Sequence, residues 1–517
     1  MGTDIQLPER YNMATTFIDE PARRRPDRVA IYYGDQALTY RELQELVNRT
    51  GNALRGLGVE VEDRVLLIVL DCPEFVAAFF GAIKIGAIPV PINTLMRASD
   101  FEYFLRDSRA KVLVVSEPLL PELEKVDRRA LRDLKHVVVI GTPRPGDRCF
   151  ADLVKEASAE LEAADTSRDE MAFWLYSSGS TGLPKGVVHL QHDAIWCAEL
   201  YFKNILGINE RDIVFSVAKL FFAYGLGNCL YATLQEGAAC VLLPDRPTPE
   251  KVFEVIDRYQ PTVFYAVPTM YAALLQVKDA ERGYRTGSLR LCVSAGEALP
   301  PRLYQEWRDR FGTEILDGIG STEICHIFIS NRPGRVRPGA SGLLVEGYEA
   351  RIVEEDGQPV PRGEVGNLWI KGESIAPFYW NKHQKTKQTM LGEWIVTGDK
   401  YYQDEDGSYW YAGRADDMLK VGGIWVSPVE VENTLVGHPA VLECAVVGAE
   451  DEEQLVKPKA FVVLRQGQTA SPALAEELQA FVKDKIAPYK YPRWIEFVPE
   501  LPKTATGKIQ RFRLRQG

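Results

Sequence analysis

The sequence predicts an α/β protein with a large N-terminal domain of layered α/β subdomains plus a small β subdomain, followed by a small α+β C-terminal domain. Three observations predict this fold class. The chain has 517 residues, more than the roughly 100–200 residues of a typical domain. Continuous apolar runs alternate with helical patterns up to about Gly339. Beyond that point, polar and apolar residues alternate as in antiparallel strands.

The first elements are a capped helix and a series of buried strands. Thr39 is the predicted N-cap of a helix, because Glu42 follows three positions later and completes a capping box. Residues Phe75–Ile92 are apolar but contain one lysine and two prolines, so a buried helix followed by a strand is predicted rather than a membrane span. Strands buried on both faces are predicted at Arg64–Leu70, Lys111–Val115, His136–Ile140, Cys240–Leu243 and Thr262–Phe264.

Two changes of pattern divide the rest of the chain. Glu349–Val353, Gly366–Ile370 and Ser408–Tyr411 alternate in polarity and are accompanied by Asp-Gly turns, which predicts a small antiparallel subdomain. A separate unit of roughly a hundred residues begins near Asp416, small but long enough for its own core. We therefore expect an N-terminal domain over 1–415 and a C-terminal domain over 416–517.

The stretch Tyr176–Gly186 predicts a loop that holds a polyphosphate. Its three glycines allow tight turns that expose backbone N–H groups to an anion, and it adds several hydroxyls and one lysine. Gly186 follows Lys185 where a Walker A loop has Ser or Thr, and apolar strands are predicted on both sides. Those flanks disfavour an exposed linker, the alternative interpretation. The candidate phosphate-binding residues are Ser177, Ser178, Gly179, Ser180, Thr181, Gly182 and Lys185.

Charge and cysteine usage exclude several classes of protein. The net charge of −11 argues against a general nucleic-acid-binding protein. Nine Lys/Arg against three Asp/Glu lie between Lys483 and Arg515, which suits a polyanionic small ligand or, alternatively, a solvated basic tail. The eight cysteines form no CxxC pair, so neither a zinc site nor a disulfide framework is predicted. With no signal-peptide pattern, we expect a cytoplasmic protein with no nucleic-acid or membrane partner.

Four further segments mix glycine with charged or hydroxyl residues: Ser294–Pro300, Asp317–Glu323, Thr397–Asp399 joined to Gly413–Lys420, and Pro502–Lys508. Together with the phosphate loop, their order and spacing resemble the ANL superfamily of adenylate-forming enzymes over essentially the whole chain. That superfamily includes acyl-CoA synthetases, peptide-synthetase adenylation domains and firefly luciferase. Within it, the segments Ala218–Asn228 and Asp317–Phe328 most resemble the acid-pocket segments of bacterial benzoate–CoA ligases.

The resemblance implies a set of ATP contacts. The phosphate loop would bind the β- and γ-phosphates, and Glu323 would hold Mg²⁺ through a hard carboxylate oxygen. Lys508 would be the catalytic lysine that bridges the acid carboxylate and the α-phosphate. The superfamily usually has a tyrosine that stacks on adenine at the position of Ile319. The benzoate ligases share the departure seen in this chain. The remaining implied contacts are Gly296 and Glu297 beside adenine, Asp317 at its amino group, Thr322 at the α-phosphate, and Asp399 with Arg414 at the ribose.

The same resemblance implies the acid pocket and the moving parts. The C-terminal domain would be mobile and would rotate about a hinge at Asp416, so that opposite faces serve adenylation and thioester formation. Phe221 and Phe222 would add aromatic bulk near the pocket. The implied pocket residues are Ala223, Tyr224, Gly320 and His326. The residues implied along the pantetheine arm of CoA are Lys420, Gly422 and Gly423.

The implied function is ATP-dependent ligation of an aromatic acid, with benzoate favoured, to coenzyme A through an acyl-adenylate, releasing AMP and pyrophosphate. ATP, Mg²⁺ and coenzyme A are the implied cofactors and co-substrates. A lysine acetyltransferase and a deacetylase acting on Lys508 are further implied partners. A stand-alone enzyme that loads an aryl acid onto a carrier protein, and a ligase for another small ring acid, stay open as alternatives. The presence of Glu323 and Lys508 argues against a nucleotide sensor without chemistry, and nothing beyond the shared motifs favours an oxygenase.

Overall fold

The computed structural model describes residues 5–177, 183–415, 417–421, 424–451, 456–503 and 509–515. Its strands are β1 (Val29–Tyr33), β2 (Gln36–Thr39), β3 (Arg64–Ile68), β4 (Ile88–Pro91), β5 (Val112–Ser116), β6 (His136–Ile140), β7 (Arg148–Cys149), β8 (Met171–Ser177), β9 (Lys185–Leu190), β10 (Ile213–Ser216), β11 (Ala239–Leu242), β12 (Val263–Ala266), β13 (Leu291–Ser294), β14 (Ile315–Gly320), β15 (Ile327–Ser330), β16 (Leu343–Leu344), β17 (Glu349–Val353), β18 (Gly366–Lys371), β19 (Met390–Leu391), β20 (Trp394–Gln403), β21 (Tyr409–Arg414), β22 (Leu419–Val421), β23 (Ile424–Val426), β24 (Val441–Glu450), β25 (Val456–Leu464) and β26 (Trp494–Phe497).

Its α-helices are α1 (Glu20–Arg24), α2 (Tyr40–Gly56), α3 (Pro73–Lys84), α4 (Ala98–Ser108), α5 (Leu120–Leu123), α6 (Phe150–Glu156), α7 (Asp193–Cys197), α8 (Ala223–Leu226), α9 (Ala232–Leu234), α10 (Pro249–Tyr259), α11 (Pro268–Leu275), α12 (Ala280–Gly283), α13 (Pro301–Phe311), α14 (His383–Thr389), α15 (Pro428–Val436), α16 (Pro472–Lys485) and α17 (Arg511–Leu514). The predicted capping box at the start of α2 is present, since the Thr39 side chain accepts from Glu42 N–H and the Glu42 side chain accepts from Thr39 N–H.

Two sheets with parallel strands form the layers of the large domain. Among the described residues, the larger sheet has nine strands in the order β16-β15-β14-β13-β12-β10-β11-β1-β2, parallel from β14 to β1. The smaller sheet has the order β4-β3-β5-β6-β7 and is parallel throughout. Parallel strands need covering on both faces, which explains the continuous apolar runs in the sequence. The predicted α/β fold class is confirmed.

Helix α3 is buried almost all round. Its side chains are buried except that of Glu74, and Phe75, Phe79 and Phe80 belong to the largest apolar core. It approaches α2 closely at two glycines, because a Cβ at Gly81 would lie 2.9 Å from the backbone nitrogen of Gly51. No helix in the described part of the chain combines the length and apolar character that a membrane crossing needs.

The last part of the chain forms the two smaller units that the change of pattern predicts. β17, β18, β19, β20 and β21 form an antiparallel sheet, with β20 paired to β18, β19 and β21. In the C-terminal unit, β24, β25 and β26 form a sheet whose core includes residues of α15 and α16. The unit contacts the large domain at Arg302, whose Nη1 donates to the carbonyls of Val436 (2.9 Å) and His438 (3.1 Å).

Candidate active site

The predicted phosphate loop joins two antiparallel strands. β8 ends at Ser177 and β9 begins at Lys185, and these two residues are register partners. Both predicted flanking strands are therefore present. Ser178, Gly179, Ser180, Thr181 and Gly182 lie outside the described residues.

The turn that carries Thr322 and Glu323 lies against the start of this loop. The segment Thr322–Ile324 is one turn of 3₁₀-helix directly after β14. Glu323 Oε1 accepts a hydrogen bond from Ser177 Oγ at 3.1 Å and a second from the Tyr379 hydroxyl at 2.9 Å. The structure thus brings together the end of the phosphate strand and the carboxylate that the resemblance assigns to the metal.

Neighbouring groups also hold the backbone of this turn. The carbonyl of Thr322 accepts from His189 Nε2 (2.8 Å), that of Glu323 from Ala376 N–H (2.9 Å), and that of Ile324 from Ser374 Oγ (2.9 Å). A carbonyl held by a buried donor fixes the plane of its peptide group. The directions of the Thr322 and Glu323 side chains are therefore set by two separate parts of the chain, His189 and the segment that contains Ser374 and Ala376.

Lys185 lies beside the same carboxylate but faces an aromatic ring. Its Nζ is 4.5 Å from the centre of the Tyr379 ring, a cation–π distance. Partial burial lowers the pKa of Lys185, although Glu323 acts in the opposite direction. No ion pair joins Lys185 and Glu323, both of which the structure describes.

The two residues that the resemblance assigns to the ribose lie side by side. Asp399 on β20 and Arg414 on β21 are register partners, and Arg414 Nη1 donates to Asp399 Oδ1 at 2.9 Å. The nearby Asp399 carboxylate raises the pKa of Arg414, so this guanidinium stays charged. Antiparallel pairing therefore places a carboxylate and a guanidinium side by side at the end of the hairpin.

The residues assigned to adenine lie just after β13, in the case of Gly296 and Glu297, and within β14, in the case of Asp317. Asp317 Oδ2 accepts from Leu299 N–H at 3.2 Å, while its Oδ1 has no hydrogen-bond partner in the described part of the chain. Burial raises the pKa of Asp317 to about 7. Gly296 has a φ of +94°, which few other residues adopt. Glu297 Oε1 accepts from Ile509 N–H at 3.3 Å, which joins this segment to the end of the lysine motif.

The predicted acid pocket centres on two stacked rings. The Tyr224 and His326 ring centroids are 5.8 Å apart with an interplanar angle of 27°, and His326 Nε2 lies 3.4 Å from the Tyr224 carbonyl oxygen. Burial lowers the pKa of His326 to about 3, so the ring is neutral. Because a carbonyl only accepts, Nε2 carries the proton. Nδ1 is then an acceptor, and it has no hydrogen-bond partner among the described residues.

Two glycines make room for His326. A Cβ at Gly227 would lie 2.3 Å from His326 Cδ2, and a Cβ at Gly320 would lie 2.7 Å from the His326 carbonyl oxygen. Gly320 thus contributes close backbone contact, while Ala223 begins α8, the helix that carries Tyr224. Any larger residue at Gly227 or Gly320 would therefore clash with His326.

Several predicted residues lie outside what the structure describes. These are Lys508, Asp416, Gly422 and Gly423, in addition to the loop residues 178–182. Lys420 is placed in β22 by its backbone, and its side chain lies outside the described part. Their predicted roles stay predictions.

The sequence analysis missed three residues that the geometry connects to the site. His189 and Asp193 are fully buried and joined at 2.7 Å, and Tyr379 is also buried. A histidine four positions before an aspartate, where β9 gives way to α7, was the available signal for the first two. Nothing in the local sequence marks Tyr379.

The chain is similar to known proteins along its length. Residues 18–380 match the model described as AMP-binding enzyme, and residues 430–508 match the AMP-binding enzyme C-terminal domain. The benzoate–CoA ligase of Thauera aromatica is 53% identical over 99% of this chain and 97% of its own length. The 4-hydroxybenzoate–CoA/benzoate–CoA ligase of Rhodopseudomonas palustris is 45% identical over 98% and 94%.

Solved structures are similar along the same length. The anthranilate–CoA ligase AuaEII in complex with anthranoyl-AMP superposes with a TM-score of 0.95 at 49% identity, covering 99% of this chain and 98% of that one. A benzoate–CoA ligase from Burkholderia xenovorans gives a TM-score of 0.91 at 48% identity, covering 98% of this chain and 100% of that one.

Proposed function

The chain belongs to the AMP-binding enzyme family of the ANL superfamily, and from this membership we propose that it joins benzoate to coenzyme A through an acyl-adenylate. It is an AMP-forming acid–CoA ligase that uses ATP and coenzyme A. The observation that carries the proposal is that one segment, Asp317–His326, contacts both the phosphate end of the site and the residues assigned to the acid pocket. Its Glu323 contacts Ser177 at the phosphate end, and His326 packs on Tyr224 three residues later. An acid with its ring against Tyr224 would present its carboxylate toward the phosphates.

Adenylation requires positive charge, because the carboxylate and the α-phosphate are both anions. Lys185 supplies charge at the phosphate end, and we assign Lys508 to the junction between carboxylate and α-phosphate, where charge develops in the transition state. The hydrogen bond from Ile509 N–H to Glu297 supports this assignment. It brings the residue after Lys508 to the segment assigned to adenine. The thiol of coenzyme A then attacks the adenylate carbonyl, and AMP leaves.

Mg²⁺ is the further cofactor that we propose, with Glu323 as its protein ligand. In the described part of the chain, no group of three or more His, Cys, Asp or Glu is arranged to hold a metal. A single carboxylate suits Mg²⁺, which is usually held by one or two carboxylates together with substrate phosphates and water. When bound, it would neutralise charge on the phosphates during displacement at the α-phosphorus.

The acid pocket favours a flat apolar ring. A benzene ring that packs against Tyr224 and His326 would bury on the order of 120 Å², worth about 3 kcal/mol at roughly 25 cal/mol per Å². Acetate cannot gain this free energy, and a long chain meets the aromatic side chains. Anthranilate is a second candidate acid. The unpartnered acceptor Nδ1 of neutral His326 suits a ring amino group, and the similar AuaEII carries anthranoyl-AMP.

An acid panel tests this assignment. Initial rates of AMP formation with ATP and CoA give kcat/KM for benzoate, 2-aminobenzoate, acetate and octanoate. We expect benzoate to exceed acetate by about a hundredfold, the ratio that about 3 kcal/mol gives, and to exceed octanoate as well. Acetate or octanoate ahead of benzoate would contradict the proposal, and 2-aminobenzoate ahead would favour the second acid. An assay of free CoA thiol distinguishes the two alternatives, because ligation to CoA consumes the thiol and the loading of a carrier protein does not.

We further propose a cytoplasmic location and regulation at Lys508. All eight cysteines are free in the structure, which fits a reducing compartment. Acetylation of Lys508 by a lysine acetyltransferase would remove the charge that adenylation needs, and a deacetylase would restore it. Mass spectrometry of the protein before and after treatment with acetyl donor and deacetylase, with pyrophosphate exchange in parallel, tests this proposal.

A further inference from the structure

One segment outside the motifs of the sequence analysis contacts both halves of the ATP site. We call residues Ser374–Trp380 the bridging segment; it follows β18 and precedes α14. Toward the phosphate hairpin, formed by β8 and β9, Trp380 N–H donates to the Gly186 carbonyl at 2.8 Å. Tyr379 pairs with Val187 of the same hairpin as an isolated bridge. Toward the 3₁₀ turn Thr322–Ile324, Ala376 N–H donates to the Glu323 carbonyl. The segment therefore fixes the position of one half relative to the other.

Tyr379 is the member of this segment whose side chain contacts both functional groups. Its hydroxyl donates to Glu323 Oε1 at 2.9 Å, and its ring lies 4.5 Å from Lys185 Nζ. The side chain is buried. A carboxylate oxygen only accepts, so the Tyr379 hydroxyl is the donor in this hydrogen bond.

The position of Tyr379 bears on how two opposite charges coexist. A lysine and a glutamate that both contact one tyrosine could form an ion pair with each other, and MgATP would then have to break it. Instead the ammonium of Lys185 lies on the Tyr379 ring, and the carboxylate of Glu323 accepts from hydroxyl groups of Tyr379 and Ser177. Each charge is oriented without neutralising the other. An aromatic ring holds a cation with less than the strength of a carboxylate, so the ammonium can still turn to a phosphate.

We propose that Tyr379 is a positioning residue that holds Glu323 and Lys185 apart and directed for MgATP. The proposal rests on the proposed function, in which Glu323 meets Mg²⁺ and Lys185 meets phosphate. Residues that orient a metal ligand by hydrogen bonding affect metal affinity strongly. Tyr379 acts through Glu323 and Lys185, and touches neither the acid nor the reacting atoms in this assignment.

Two substitutions separate the two contacts. Tyr379→Phe removes the hydroxyl and keeps the ring, so we expect the Mg²⁺ concentration for half-maximal pyrophosphate exchange to rise about tenfold. The KM for benzoate should not change. Tyr379→Leu also removes the ring, so the apparent Kd for ATP should rise by a further factor of about three to ten. Thioester formation from supplied benzoyl-adenylate and CoA should be unchanged in Tyr379→Phe, because that step does not use Glu323.

The matched control is Tyr304→Phe. Tyr304 lies on α13 and its hydroxyl also donates to a glutamate, Glu314 Oε1, at 3.5 Å. This variant should keep the Mg²⁺ dependence of the unchanged enzyme. Loss of the Tyr304 hydroxyl tests whether any buried tyrosine–glutamate contact would produce the same effect.

A binding measurement without acid distinguishes this proposal from the choice of substrate. Calorimetric titration of the full-length protein with ATP at a series of Mg²⁺ concentrations should show the shift in Tyr379→Phe in the absence of benzoate. The proposal is overturned if Tyr379→Phe leaves the Mg²⁺ dependence unchanged, or if both half-reactions and the Tm fall together. If the unchanged enzyme binds MgATP but forms no AMP with benzoate, the proposed substrate fails and the role of Tyr379 is still decided by the titration.

Discussion

At the scale of single residues, His189 is held from both ring nitrogens. Its Nε2 lies 2.8 Å from the Thr322 carbonyl oxygen, and a carbonyl only accepts, so Nε2 carries a proton. Nδ1 faces Asp193 Oδ2 at 2.7 Å, and that oxygen also accepts from Leu190 N–H at 3.1 Å. Asp193 therefore fixes the orientation of the ring that holds the Thr322 peptide, so that a residue of β9 positions a turn 133 residues away.

Replacing Asp193 tests this arrangement. Asp193→Ala leaves Nδ1 without its partner in a fully buried site, so we expect a loss of about 1–3 kcal/mol in the free energy of unfolding. Pyrophosphate exchange should slow as well. Asp193→Asn should lose less of both, because one amide atom in place of Oδ2 can still meet either His189 Nδ1 or Leu190 N–H, although not both. Urea unfolding and exchange rates measure the two effects. Equal damage in the two variants would rule out this account of His189.

At the scale of elements, helix α4 supports both ends of the phosphate hairpin. Tyr103 donates to the Pro184 carbonyl at 2.6 Å, and Asp107 Oδ2 accepts from the Tyr176 hydroxyl at 2.7 Å. The Asp107 carbonyl also accepts from Trp380 Nε1 at 2.9 Å. Tyr176 precedes the loop and Pro184 follows it. Helix α4 therefore holds the residues on both sides of the phosphate loop in place.

Asp107→Ala should weaken the support that α4 gives to the phosphate loop. The Tyr176 hydroxyl loses a charged acceptor, and we expect a loss of about 1–3 kcal/mol in unfolding free energy together with a higher KM for ATP. Arg106→Ala is the control on the same helix. Arg106 forms an exposed pair with Glu102 at i,i+4, worth only about 0.3–0.5 kcal/mol. Steady-state kinetics in ATP and thermal unfolding report the two quantities. A KM for ATP that is the same in Asp107→Ala as in the control would show that α4 does not position the loop.

The elements also show what the sequence predicts and where it stops. A run of apolar residues was enough to predict the strand His136–Ile140 with the bounds that β6 has, because a strand buried on both faces must be apolar throughout. The capping box at Thr39 was equally local. Tyr379 and His189 were not predicted, because their roles arise from contacts with Glu323 and Thr322, 56 and 133 residues away. The resemblance supplied the motif residues, whereas the residues that hold them appear only in three dimensions.

At the scale of the whole molecule, polar contacts and the packing of α15 on β21 join the two domains in the described part of the chain. Arg302 on α13 donates to two carbonyls of the C-terminal domain, Arg465 lies 3.8 Å from Glu306, and Ile509 N–H reaches Glu297. The resemblance implies that adenylation and thioester formation use different domain orientations. Ile509 adjoins Lys508, so with Lys508 assigned to adenylation as proposed above, the contact of Ile509 with Glu297 favours the adenylation arrangement. Interfaces between domains of one chain resemble transient protein–protein interfaces, so relative domain motion is expected.

Arg302→Ala should therefore affect the two half-reactions unequally. Losing two hydrogen bonds from a guanidinium lowers the population of the docked arrangement, and we expect pyrophosphate exchange to fall about threefold to tenfold. Thioester formation from supplied benzoyl-adenylate should hold or rise. Arg310→Ala is the control, since Arg310 on the same helix donates to carbonyls within its own domain. Stopped-flow measurement of each step decides the matter, and an equal fall in both steps would contradict it.

The fit of His326 against Gly227 limits the order in which the pocket can change over generations. Any side chain added at position 227 collides with the imidazole, since even a methyl group would lie 2.3 Å from Cδ2. A lineage that exchanges the histidine for a smaller residue first frees position 227 to vary. Once a larger residue has settled there, a return to histidine is blocked until the glycine returns. The two positions are then coupled, and a lineage that has lost both His326 and Gly227 must restore the glycine before the histidine can return.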